Sequence, residues 1–170
     1  IVYYAALAAA GIVSGFAGGL FGIGGGLLRV PIFLYLFTAF GVANEVVFHM
    51  AAGTSLALAI PTSAASTWRQ VRDGNIDVGL LRLWIPVLLL GVAAGLLTAS
   101  SSSTETLKVI FLVFLLILAV TLGRREPLVL WSHRPVGAGP SALAFGIGWL
   151  STLLGLSGGA LITPAMVAFG

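Results

Sequence analysis

From residue 1 to residue 21 the chain carries no charged side chain, and runs of similar length and character recur along most of it. An apolar stretch of about 18 or more residues spans the roughly 30 Å hydrocarbon core of a bilayer as a helix, whose backbone polar groups are satisfied internally. Of 170 residues, 59% are hydrophobic and 8% charged. Soluble domains carry roughly 25% charged residues, so a water-facing fold of this size is excluded. The fold class this predicts is an all-α integral membrane protein, a multi-pass helical bundle.

Eight Lys and Arg against five Asp and Glu give +3. With so few groups this balance is no nucleic-acid footprint, and no nucleic-acid partner is expected. The absence of cysteine removes disulfides, thiolate metal sites and cysteine nucleophiles. The opening segment lacks the basic n-region of a cleaved signal peptide and is too long for one.

Residues 1–21 form the first candidate span and run into Gly22, Gly24, Gly25 and Gly26, which oppose helix formation. Residues 27–40, with Arg29 and Pro31, are short for a crossing and read as a half-helix behind that break. Residues 49–68 are a span interrupted by Pro61. A polar loop at 69–77 carries the turn signal Asp73-Gly74-Asn75. Residues 78–99 and 107–122 are further spans, separated by a serine-rich loop that ends in a helix start near Thr104, and the second is expected to be the most lipid-exposed helix. A new apolar helix begins at 141. Three arginines fall at 69–82 and three at 124–134, which places those loops in the cytoplasm and the loops at 41–48 and 100–108 outside.

An internal repeat accounts for the glycines. Residues 15–31 align without a gap on residues 148–164, an offset of 133, with seven of 17 positions identical: Gly15, Leu20, Gly22, Gly25, Gly26, Leu28 and Pro31 pair with Gly148, Leu153, Gly155, Gly158, Gly159, Leu161 and Pro164. The expected organisation is a first transmembrane repeat at 1–122, a basic cytoplasmic linker at 123–139 and the start of a second repeat at 140–170, which is expected to continue beyond this sequence. Glycine-interrupted segments at corresponding places in two repeats point to the binding site of a secondary transporter. A helix break in the membrane must face protein or a water-filled cavity, and the half-helix after it presents free N–H groups and a positive dipole end to an anion. If residues 1–40 form a re-entrant hairpin the repeats are inverted, which is the favoured reading; if they cross once, the repeats are parallel.

The candidate substrate-binding residues are therefore Gly24, Gly25, Gly26 and Arg29 at the first break and Ser157, Gly158 and Gly159 at the second, with His49, Thr54 and Ser55 on the intervening span. Arg29 is costly in an apolar run unless it has a task or snorkels to an interface. His49 is a candidate for proton coupling or a structural group; the hydroxyls of Thr54 and Ser55 line a cavity or bond their own helix. Pro31, Pro61 and Pro164 are assigned as helix kinks. Gly11, Gly15 and Gly19, and separately Gly91 and Gly95, have the spacing of close helix packing. Enzyme chemistry is not expected. Glu45, Asp73, Asp77, Glu105 and Glu126 all fall in loops or at helix ends, His49 and His133 lie on opposite sides, and the glycine run lacks the Lys-Ser/Thr of a phosphate loop. No cofactor or metal is implied.

At Gly22-Ile-Gly-Gly-Gly26 with Pro31, its echo at Gly155-Leu-Ser-Gly-Gly159 with Pro164, the segment His49-Met-Ala-Ala-Gly-Thr-Ser-Leu56 followed by Pro61-Thr-Ser63, and the polar stretch Arg72-Asp-Gly-Asn-Ile-Asp77, the chain resembles the sulfite exporter TauE/SafE family. The resemblance covers nearly the whole chain. It implies a bacterial inner-membrane permease for small anions such as sulfite, sulfoacetate or carboxylates, with a complete second repeat. A small anionic substrate, the lipid bilayer, a coupling proton or ion and a homodimer are the expected partners. A competing reading is a non-transporting membrane scaffold or subunit packed through its glycines.

Overall fold

The computed structural model describes residues 2–20, 25–74, 78–122, 138–158 and 161. These form six helices and, among the described residues, no strand: α1 (Val2–Leu20), α2 (Gly26–Ala39), α3 (Val47–Arg72), α4 (Val78–Ser101), α5 (Thr104–Leu122) and α6 (Ala138–Leu154). α1, α3, α4 and α5 are long and apolar enough to cross a membrane. α2, with 14 residues, reaches about 21 Å at 1.5 Å per residue and falls short of a bilayer core. Gly24, Gly159, Pro164 and most of the expected linker lie outside the described residues.

α3 departs from the expected bounds. It runs unbroken through Pro61 to Arg72, so Arg69 and Arg72 occupy its last turn rather than a loop. Nothing between Trp68 and Arg72 opposes a helix, and the stop comes at Gly74 with φ +71°. The hydroxyls of Thr62 and Ser63 donate to the carbonyls of Leu58, Ala59 and Ile60, one turn or less behind. α2 likewise continues through Pro31. It ends in a left-handed Gly41, with Gly41 N–H donating to Thr38 O and Val42 N–H to Phe37 O, a paired closure that satisfies the last free carbonyls.

One face of α2 packs on one face of α3, with Phe33, Phe37, Val47 and Ala51 buried together and Tyr3 and Leu7 of α1 against them. A second cluster joins Val30, Phe48 and Ala52 to Leu107 and Phe111 of α5 and to Leu153, Leu154 and Leu156. The closest helix pair is α4 with α6. A Cβ on Gly91 would stand 2.2 Å from Phe145 O, one on Gly95 2.7 Å from Trp149 O, and one on Gly148 2.4 Å from Leu88 O, so the two backbones touch. Trp149 Nε1 donates to Thr98 Oγ1 across this seam at 3.1 Å.

The small-residue spacing is thus used at Gly91 and Gly95 but not in the same way in α1. Among the described residues nothing lies within 4 Å of a Cβ on Gly19, and Gly11 and Gly15 meet only side-chain ends at 3.9 and 3.8 Å. Spacing marks which helices can approach closely, but not whether a partner backbone lies there. α5 is also not the least covered span: 22% of its window is buried against 11% for α1, because Leu107, Phe111 and Leu118 share a face that packs inward.

Candidate functional site

α2 begins at the glycine break. Gly25 is buried with φ +30°, a left-handed conformation suited to glycine, and its carbonyl accepts from Arg29 N–H at 2.9 Å. On the other side, α6 ends at left-handed Gly155, where Gly155 N–H donates to Thr152 O and Leu156 N–H to Ser151 O. The end of α6 then turns into the start of α2. A Cβ on Gly26 would lie 2.7 Å from Ser157 N and 3.1 Å from Leu156 Cα, and one on Gly155 would lie 2.5 Å from Ala52 Cα. Three backbones, from the start of α2, the second turn of α3 and the segment after α6, therefore converge where only glycine fits, and Gly26 stands beside the segment 155–157.

Arg29 lies in the first turn of α2 and is 4% exposed. Its side chain folds back toward the helix start, with Nη2 2.8 Å from where a Gly25 Cβ would be and 3.8 Å from that of Gly15. Nε and Nη1 are buried without a hydrogen-bond partner. Among the described residues the ion pairs are Arg69–Asp73 and Lys108–Glu105, so Arg29 pairs with no described carboxylate. A buried guanidinium at the positive end of a helix dipole, with Nε and Nη1 lacking an acceptor among the described residues, is a costly arrangement.

Two hydroxyls share this condition. Ser55, fully buried, and Ser151, 7% exposed, both have an Oγ without a partner. α2 and α3 run as consecutive packed helices that bury Phe33 and Phe37 with Val47 and Ala51, and Ser55 lies one turn beyond Ala51 on α3. Ser151 stands in the last turn of α6, one turn before Gly155. The sequence analysis did not single it out, although the polar pair Ser151-Thr152 directly before a glycine break in an otherwise apolar helix was the available signal. Thr152 bonds within its own helix, to Gly148 O at 2.9 Å.

The remaining candidates are placed apart. Thr54 is half-buried, a step around the helix from Ser55, and Ser157 and Gly158 are half-buried beside Gly26. His49 lies six residues from Ser55, about 9 Å along the helix axis, and is held by Ala99 O at 3.0 Å. It does not join the glycine break. No group of three or more His, Asp or Glu side chains among the described residues could hold a metal ion. An open groove of about 840 Å³ runs along the exposed second half of α3 between Ile60 and Arg72; it holds no buried unpaired polar group and lies away from the break.

Four apolar spans, two shorter helices and a polar break enclosed between them define a multi-pass helical membrane protein. Residues 7–170 match the model of the family described as Sulfite exporter TauE/SafE, and the chain belongs to that family. It is 31% identical over 166 residues to a probable membrane transporter protein of Haemophilus influenzae, covering 94% of this chain and 61% of that protein. It is 33% identical over 158 residues to one of Methanocaldococcus jannaschii, covering 92% and 58%, and 26% identical over 179 residues to one of Bacillus subtilis, covering 92% and 64%. The chain thus spans about three-fifths of the length of these relatives. No solved structure matches it. The family is described as exporters, and these relatives are each named a probable membrane transporter protein.

Proposed function

We propose that the chain forms part of a secondary transporter for small sulfur-containing or organic anions, such as sulfite, sulfoacetate or carboxylates, in the bacterial inner membrane. The observation that carries this is the buried Arg29 guanidinium, with Nε and Nη1 unpartnered, at the positive end of α2. An anion there offsets a charge that the described protein leaves uncompensated, and charge-assisted hydrogen bonds to a guanidinium are among the strongest available. Ser55 Oγ and Ser151 Oγ supply further donors from two other helices, and Gly24–Gly26 with Ser157–Gly159 let the backbone approach the ligand. In this reading the two glycine segments belong to two inverted repeats that rock about the shared site, so that it opens to each side in turn. The glycine seam of α4 and α6 favours the scaffold reading for Gly91, Gly95 and Gly148 alone; it leaves Arg29 without a reason to be where it is.

The test is thermal denaturation of the purified full-length protein in detergent with sulfite, sulfoacetate, acetate and sulfate. A ligand that binds only the folded state at about 100 times its Kd adds roughly 2.7 kcal/mol. The expected result is stabilisation by at least one of these anions in wild type and none in Arg29→Gln. An equal response in both proteins overturns the assignment.

A further inference from the structure

Away from the break, the α2–α3 connection, the last turn of α4 and the first turn of α5 meet around His49. Its Nε2 lies 3.0 Å from Ala99 O; a carbonyl only accepts, so Nε2 carries a proton. Thr104, the first residue of α5 and 3% exposed, donates its hydroxyl to Glu45 O. The same Oγ1 lies 3.4 Å from His49 Nδ1. A hydroxyl has one proton, and here it is committed to Glu45 O, so Oγ1 faces Nδ1 as an acceptor. That contact is a hydrogen bond only if Nδ1 is protonated too. A protonated His49 completes an unbroken series in which Nε2–H donates to Ala99 O, Nδ1–H donates to Thr104 Oγ1, and Thr104 donates to Glu45 O. In a neutral ring two lone pairs confront each other, or the Thr104 hydroxyl turns away from Glu45 O.

We propose that His49, anchored to α4 through Ala99 O in either state, is a proton-binding site that latches α5 to α3 through Thr104, closed when the ring is protonated and loosened when it is neutral. Protonation decides whether Thr104 stays attached to the α2–α3 connection. Among the described residues no other titratable group faces the ring. Glu45 faces it through a backbone carbonyl, and Glu105 and Lys108 of α5 pair with each other at 2.8 Å. The last turn of α4 and the whole of α6 carry no titratable residue, and the next charge along α3 is Arg69. On α2, Tyr35 is 75% exposed and Arg29 is at the far end. The latch stands independently of the anion assignment, since it is read from a different cluster.

Thermal melts of the full-length protein in detergent across about pH 5 to 8, the range in which histidines titrate, test this, in a His133→Gln background that removes the other histidine of these 170 residues. The melting temperature is expected to fall by about 2–4 °C as pH rises, the shift that a modest loss of stability gives at this size. His49→Gln and Thr104→Val should each flatten that slope, and Thr104→Ser, which keeps the hydroxyl, should restore it. Should His49→Gln fail to fold, the Thr104 pair decides alone. A slope unchanged in Thr104→Val, or a flat slope in the parent, overturns the latch.

Discussion

Arg29 is the residue on which the functional account turns, and it behaves differently from the other arginines. Arg69 and Arg72 lie exposed in the last turn of α3, where a cation suits the helix dipole. Arg29 lies in a first turn, buried, with two nitrogens lacking acceptors. A buried group left without its partner costs about 1–3 kcal/mol, so Arg29→Met, which keeps the length and removes the charge, is expected to be at least as stable as wild type when no anion is present. Denaturation in anion-free detergent buffer checks this; a clear destabilisation would mean that Arg29 already has a structural partner. Gly25 is tied to it, since any side chain there meets both φ +30° and the guanidinium. Arg29 was legible in the sequence as a charge in an apolar run. Ser151 was not, because a single serine in a membrane helix ordinarily bonds its own backbone, as Ser14 does to Gly11 O at 3.2 Å. His49 was legible as a polar residue but not as a junction, because its partners Ala99 and Thr104 lie 50 and 55 residues away.

At the scale of elements, the α4–α6 seam and the α2 start use glycine for the same physical reason, contact between backbones that cannot move aside. Gly148→Ala puts a Cβ 2.4 Å from Leu88 O, and such overpacking is expected to cost about 1–3 kcal/mol. Among the described residues nothing lies inside 4 Å of a Cβ on Gly53, within α3, so Gly53→Ala is expected to gain about 0.5–1 kcal/mol from helix propensity. Paired denaturation of the two variants separates the effects, and equal responses would contradict the seam. Helix existence was readable from uncharged length alone. The end of α3 was not, because Arg69 to Arg72 are good helix formers and their charge suggested a loop. The surroundings of Gly11, Gly15 and Gly19 were not readable, because a spacing within one helix carries no information about what faces it.

At the scale of the molecule, α1, α2 and α3 pack as one group and α4 with α6 as another. The candidate site lies where these groups meet, at Gly26 against Ser157 and Ala52 against Gly155. That placement suits a transporter, since relative motion of the groups would alter the surroundings of Arg29 directly. The chain covers 61% and 58% of two of its relatives, so transport is a property to be measured on the full-length protein. The most direct measurement is flux of sulfite or an organic acid through proteoliposomes containing that protein under an imposed anion gradient, comparing wild type with Arg29→Met and Gly26→Leu. The account predicts flux in wild type and its loss in both variants, with Arg29→Met still inserted and folded by its thermal melt. Wild-type flux retained in folded Arg29→Met would contradict it.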